Sequence, residues 1–127
     1  MRTLTSIRSL LCALSFAVTV GTCLAAESSP VVRSPVCEYK INPLGIDVKK
    51  PRLSWKITSV ERAVTQAAYQ IRAAERAGDL TSGRNLLWDS GKAESDRSIH
   101  VVYEGASAAS RQRIWWQVRI WDDQGRN

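Results

Sequence analysis

The strongest structural signal in this sequence is the run Arg113-Ile114-Trp115-Trp116-Gln117-Val118-Arg119-Ile120-Trp121-Asp122-Asp123-Gln124-Gly125. From Ile114 to Ile120 every second residue is apolar, and these residues share one face of an extended chain because β side chains alternate between faces. The run therefore predicts a long strand with one buried face. Because an unpaired strand of this hydrophobicity favours aggregation, we expect a hairpin partner after the turn and interpret the chain as C-terminally incomplete.

Toward the N-terminus, short periodic segments are separated by turn residues about every ten positions, which is typical of an all-β sandwich. We predict strands at 36–41, 52–59, 66–74, 86–90 and 98–103, about six in total with the final one. Residues 66–74 also fit a helical stripe, but that stripe is nearly all methyl groups and would bury little area. Residues 78–85 are predicted as a loop. An immunoglobulin-like sandwich has about seven strands, so the final strand is predicted to be missing.

The first 25 residues are predicted to be a secretory signal peptide. Arg2 and Arg8 precede a mostly apolar run, and small residues around Ala25 fit signal-peptidase cleavage. The apolar run is about half as long as a membrane span, so we expect no transmembrane segment and a secreted or periplasmic protein. Lipoprotein anchoring through Cys23 is a lesser alternative, because Thr22 fits a lipobox poorly. Residues 26–34 are predicted as a linker and residues 35–127 as the sandwich domain.

Composition excludes several classes of function. The formal charge is +6 at pH 7, but the basic residues are spread along the chain, so no nucleic-acid partner is expected. Without the signal peptide only Cys37 remains, and its alternation with Tyr39 and Ile41 predicts a buried face and no functional thiol. His100 is the only histidine and is predicted on a strand surface, next to Val101. We therefore expect no metal site and no cofactor.

The tryptophans are the remaining candidates for function. The two-residue alternation of β-strands places Trp55 and Trp116 in the core. The same alternation places Trp115 and Trp121 on the outer face of the last strand. Together with Trp88, these two form a possible interdomain or sugar-contacting surface. Exposed indoles suit docking against neighbouring domains of a longer protein, stacking on a sugar ring, or ordinary cover by Arg119 and loops.

Six sequence blocks carry a family resemblance: Cys37-Glu38-Tyr39, Asn42-Pro43-Leu44-Gly45-Ile46-Asp47, Pro51-Arg52-Leu53-Ser54-Trp55, Ala68-Tyr69-Gln70-Ile71, Leu87-Trp88-Asp89-Ser90-Gly91-Lys92 and Trp116-Gln117-Val118-Arg119-Ile120-Trp121-Asp122. In this order they resemble the N-terminal module of bacterial α-L-rhamnosidases of glycoside hydrolase family 78. The resemblance implies a fibronectin type III-like sandwich that precedes further β-domains and a catalytic helical barrel. Ile114 departs from the tyrosine usual at that position, so the tyrosine-corner hydrogen bond is absent there.

Carboxyl groups give no sign of catalysis within these residues. Glycoside hydrolysis needs two carboxyl groups held across the scissile bond, and the family's pair belongs to the barrel. The candidates fall at strand ends or turns, where aspartate commonly bonds its own backbone. They are Asp89, Glu94, Asp96, Asp122 and Asp123. We predict no catalytic residue, and we expect the chain to be inactive alone.

Two functions remain from the sequence. The first is a non-catalytic scaffold module, a fragment of a secreted α-L-rhamnosidase that hydrolyses terminal α-L-rhamnose from glycosides. Its partners would be the downstream domains of the same enzyme and rhamnose-containing glycosides. The alternative is a stand-alone carbohydrate-binding or adhesion module that uses Trp115 and Trp121.

Overall fold

The computed structural model describes residues 29–127, so the predicted signal peptide and Cys23 lie outside the described part. The described residues form one short helix, α1 (Ala77–Ser82), and seven strands: β1 (Val31–Cys37), β2 (Arg52–Thr58), β3 (Gln66–Ala74), β4 (Leu86–Asp89), β5 (Ala93–Glu94), β6 (Val101–Val102) and β7 (Trp115–Asp122). All strand pairs are antiparallel. The predicted all-β class is confirmed.

The strands form the two sheets of a sandwich. The first sheet has the order β1-β2-β6. In the second sheet β3 is central: β7 pairs with it along one edge, while β4 and β5 pair in succession along the other. Consequently, β6 is an edge strand of the first sheet, and β4 and β5 together form one edge of the second sheet. Among residues 29–127, β7 has no partner strand on its outer edge.

The core lies between the two sheets. It contains a cluster of buried residues to which β2, β3 and β7 each contribute: Cys37, Leu53, Trp55, Ile71, Ala73, Val101, Tyr103 and Ile120. Trp55 is 2% exposed, and Trp116 packs against this cluster from the inner face of β7. The predicted core positions of Trp55, Trp116 and Cys37 are therefore confirmed. Burial also raises the pKa of the Cys37 thiol, which favours the inert neutral form.

A buried polar network crosses the core. Gln66 is 6% exposed. Its side-chain Oε1 accepts a hydrogen bond from Trp55 Nε1 at 3.0 Å. Its Nε2 donates to the Ser95 and Arg97 carbonyls, both at 2.9 Å. One amide thus satisfies a buried indole of the first sheet and ties the 95–97 loop to the second sheet.

The first strand was predicted at the wrong place. It was expected at 36–41, but β1 spans Val31–Cys37 and therefore begins within the predicted linker. Tyr39 and Ile41 are exposed, so the alternation with Cys37 does not continue. β1 contains Pro35, which cannot donate a backbone hydrogen bond. It is tolerated because β1 is an edge strand whose register shifts between Arg33 and Val36.

Two other expectations are corrected. The predicted loop at 78–85 contains most of α1. Only β6 is observed where a strand was predicted at 98–103. Alternation along that predicted strand places Ile99, Val101 and Tyr103 on the inner face, but Ile99 is 61% exposed. The cause lies at His100, whose φ of 57° breaks the strict alternation of an extended chain. Val101 and Tyr103 are buried as predicted.

Candidate functional site

The outer face of the second sheet carries the predicted tryptophan surface. Four side chains of β7 lie on this face: Trp115, Gln117, Arg119 and Trp121. They pair with Ala74, Arg72, Gln70 and Ala68 of β3, respectively. The two tryptophans stand at opposite ends of the strand, roughly 20 Å apart at about 3.3 Å per residue. They cannot stack on the same sugar ring.

The two indoles differ in their cover. Trp115 is 45% exposed, and the Arg113 guanidinium lies 6.0 Å from its ring centroid. Trp121 is half-buried, because Lys92 Nζ lies 5.0 Å from its ring centroid and the Arg119 guanidinium 6.0 Å. Both distances fit cation–π contacts. Ordinary cover by Arg119 thus applies to Trp121, while Trp115 presents the larger bare indole surface.

A polar network occupies the face between the tryptophans. The Asp89 carboxylate accepts hydrogen bonds from Gln70 Nε2 at 2.7 Å and Arg72 Nε at 3.0 Å. It also accepts the Gly91 amide at 2.9 Å. Burial by itself would raise the pKa of the Asp89 carboxyl, but these hydrogen bonds and the adjacent guanidinium charge lower it below its usual range. Asp89 is therefore held ionised as a structural group and is a poor proton donor.

Helix α1 covers part of this face, which sequence reasoning missed. Leu80 is buried, and its carbonyl accepts a hydrogen bond from Gln117 Nε2 at 3.3 Å. Ala74, the partner of Trp115, is fully buried. The helix is only six residues long and ends at Gly83 in the left-handed region. A helix this short leaves little periodic signal in the sequence.

Trp88 does not belong to the outer face. Its ring packs edge-to-face on Tyr103, with centroids 5.1 Å apart, and it contacts the core cluster. The backbone of Gly105 lies so close that a Cβ there would stand 2.5 Å from Trp88 Cβ. The structure therefore separates Trp88 from Trp115 and Trp121, and the three tryptophans do not form one surface.

Trp88 lines a cleft instead. The cleft opens between β6 of the first sheet and the β4–β5 edge of the second, and it has a volume of about 490 Å³. Its aromatic walls are Tyr69 and Trp88, and Arg97 and Glu104 stand at its border. The sandwich is open here because β5 and β6 are only two residues long each. No pattern in the sequence pointed to this cleft.

The turn after β7 uses its carboxylate structurally. Asp122 is 2% exposed and accepts hydrogen bonds from the Gln124 and Arg126 amides at 3.0 and 2.8 Å, and from Arg126 Nε at 2.7 Å. Burial alone would raise the pKa of this carboxyl, but the hydrogen bonds and the Arg126 charge lower it. Arg126 also pairs with Glu61. The predicted turn-forming role of Asp122 is thereby supported by its contacts.

The same turn reverses the direction of the chain beside the C-terminal end of β7. The Gly125 amide donates to the Asp122 carbonyl, and the Asp122 amide donates to the Arg126 carbonyl, both at 3.0 Å. Gly125 has a φ of 79°, as a three-residue hairpin loop requires. The chain thus reverses its direction directly after β7, and Arg126 lies beside Asp122 without forming a further strand among the described residues.

His100 and Glu38 lie near each other on the surface of the first sheet's side of the domain. His100 is exposed, and its Nε2 forms a hydrogen bond with the Tyr39 hydroxyl. Next to it, Glu38 accepts bonds from the Arg52 amide and guanidinium at 2.7 and 2.8 Å. No group of three or more metal-ligating side chains occurs among these residues, and none of their helices is long and apolar enough to cross a membrane.

Comparison with known proteins identifies the family. Residues 32–127 match the family described as Rha78A-like, N-terminal immunoglobulin domain. The chain belongs to this family. An α-L-rhamnosidase of Streptomyces avermitilis is 45% identical over 94 residues, which is 74% of this chain and 9% of that protein. An α-L-rhamnosidase of Formosa agariphila is 43% identical over 110 residues, covering 82% of this chain and 12% of that protein.

Solved structures agree with this assignment. The S. avermitilis α-L-rhamnosidase complexed with L-rhamnose superposes with a TM-score of 0.72 at 43% identity, over 76% of this chain and 9% of that chain. The enzyme from Dictyoglumus thermophilum gives 0.70 at 33% identity, over 77% and 11%. The resemblance drawn from the sequence is confirmed. The chain spans about a tenth of the length of the relatives that it matches.

Proposed function

We propose that this chain acts as the non-catalytic N-terminal scaffold module of a secreted α-L-rhamnosidase that removes terminal α-L-rhamnose from glycosides. The observation that carries the proposal is the extent of the match: the Rha78A-like immunoglobulin domain fills residues 32–127, and these are about a tenth of each related enzyme. The downstream domains of that enzyme are then the module's partners. Secretion through residues 1–25 is part of the same proposal.

Two buried or hydrogen-bonded carboxylates of the described region, Asp89 and Asp122, support a non-catalytic role. Both have a lowered pKa, and their oxygens accept hydrogen bonds and pair with arginine side chains. A glycosidase requires one carboxyl whose pKa is raised so that it can protonate the leaving group. Neither aspartate meets that requirement.

The open edge of β7 supports attachment to further structure. Alternate residues along the eight-residue β7 direct their backbone N–H and C=O groups to that side, and the chain reverses its direction beside the end of this strand. Edges of this length are normally paired or covered. On the outer face, Trp115 offers indole surface for docking against a neighbouring domain, and Arg113 and Arg119 place positive charge beside the tryptophans.

Two measurements test the scaffold role. The purified chain should hydrolyse an aryl α-L-rhamnoside no faster than an enzyme-free control, and turnover that survives repurification would overturn the proposal. The reading frame beyond codon 127 should continue for several hundred codons into a helical-barrel domain. A stop directly after Asn127 would favour the alternative.

The alternative is a stand-alone carbohydrate-binding or adhesion module, which the 45% exposure of Trp115 favours. A planar indole can pack against the C–H face of a sugar ring. In that case the purified chain binds rhamnosides, and Trp115→Ala abolishes the binding. The distance between Trp115 and Trp121 requires at least two sugar rings for both to take part.

A further inference from the structure

The cleft between the sheets has the features of a small-molecule site. Its volume of about 490 Å³ lies within the range of typical ligand pockets, roughly 300–1,000 Å³. Apolar contact comes from the Tyr69 and Trp88 rings and from Ala93 and Val101. This cleft is distinct from the outer face that carries Trp115 and Trp121, and it goes beyond the scaffold role.

The aromatic walls are fixed by their neighbours. Tyr69 packs edge-to-face on the buried Trp55, with ring centroids 5.4 Å apart. Trp88 is held between Tyr103 and the backbone of Gly105. Because both rings are locked by packing, their exposed surfaces are oriented before any ligand arrives.

Polar groups around the cleft are available to a ligand. Four polar groups that line the cleft form no hydrogen bond with any residue in the 29–127 region: the Tyr69 hydroxyl, Trp88 Nε1, the Arg97 guanidinium and the Glu104 carboxylate. The Arg97 backbone is nevertheless anchored, because its carbonyl accepts the buried Gln66 amide. These groups include both donors and acceptors, and they stand on a fixed frame.

We propose that this cleft binds one neutral pyranose ring of a glycoside. The C–H face of the ring would lie on Trp88 or Tyr69, and its hydroxyls would bond Arg97 and Glu104. The charges of these two residues balance, so an anionic or cationic ligand would gain no net attraction. Asp89, the other acid at the cleft, is already neutralised by Arg72.

The test uses the purified chain and methyl α-L-rhamnopyranoside, titrated by NMR with the tryptophan indole N–H signals as reporters. The Trp88 signal should shift saturably at millimolar sugar, while the Trp115 signal stays unchanged. Arg97→Ala and Glu104→Gln should each weaken binding by about tenfold, since each removes a bond to a charged group. Both side chains are exposed, so the fold is retained.

A matched control is Arg84→Ala, which removes another exposed arginine with no side-chain partner in the described region and should leave binding unchanged. A neutral hexopyranoside should bind more tightly than the matching uronic acid. Three results would overturn the proposal: no shift up to about 50 mM sugar, tighter binding of the uronic acid, or binding lost in Trp115→Ala and kept in Arg97→Ala. Each of these leaves the scaffold role standing, because that role depends on the reading frame and the absence of hydrolysis.

Discussion

The buried amide of Gln66 gives the sharpest test of how the two sheets are held together. Gln66→Met keeps the length of the side chain and removes its hydrogen bonds to Trp55, Ser95 and Arg97. The Trp55 indole N–H stays buried without a partner, which costs about 1–3 kcal/mol. The two carbonyls are only partly buried and can bond water, so each adds about 0.5 kcal/mol or less. We expect a loss of about 2–3 kcal/mol in the free energy of unfolding.

Urea unfolding followed by tryptophan fluorescence measures this loss. The midpoint should fall while the m-value stays constant, because the surface exposed on unfolding does not change. The matched control is Gln70→Met on the same strand, where the amide bonds Asp89 at an exposed position and should cost less than about 1 kcal/mol. If Gln66→Met costs no more than Gln70→Met, the network does not stabilise the core and this reasoning is wrong.

A double-mutant cycle separates the indole bond from the rest. Trp55→Phe removes the N–H and leaves Gln66 Oε1 unpaired, so Gln66→Met should cost less in that background than in the original chain. Equal costs in both backgrounds would assign the loss to the 95–97 loop alone. In either case Gln66→Met should also weaken sugar binding in the cleft, since the backbone of Arg97 loses its anchor.

Three further outcomes are expected. Gly105→Ala should lower the melting temperature, because the new Cβ clashes with Trp88 at a cost of about 1–3 kcal/mol in the free energy of unfolding. The control Gly78→Ala should leave the melting temperature unlowered, because a Cβ there meets nothing within 4 Å. The pKa of Glu38 is about 2, lowered from 4.5 chiefly by hydrogen bonds from Arg52. The unfolded chain therefore binds more protons between these values, and Glu38→Gln should melt below the original chain at neutral pH, with a gap that closes as the pH falls to about 2; a constant gap would contradict the ion pair. The chain should also self-associate through β7, and Trp115→Lys should delay its elution in sizing chromatography; a monomeric original chain would refute this.

The local sequence pattern was enough to predict the position of the strands whose residues strictly alternate between apolar and polar. The predicted 66–74 matches β3, and the predictions at 52–59 and 86–90 differ from β2 and β4 by one residue at the C-terminal end. The pattern of the final run gave β7 its correct inner and outer faces. These strands lie against the core, where alternating burial leaves a direct trace in the sequence.

Elements that depend on distant partners were missed or misplaced. The short β5 exists because Ala93 and Glu94 pair with β3. The N-terminal half of β1 is held by β2, despite Pro35. Neither pairing is visible in the residues themselves, since the stabilising groups are contributed by strands far along the chain.

The sequence alone determined the sandwich class, the family and the burial of Trp55, because each depends on residue type and local spacing. Only the tertiary structure decided where the aromatic and charged groups meet. It placed Trp88 in a cleft beside Arg97 and Glu104, apart from Trp115 and Trp121, and it formed a hydrogen-bond network around Gln66. The physical reason is that a strand's alternation fixes which face a side chain takes, whereas its neighbours on that face come from the packing of two sheets.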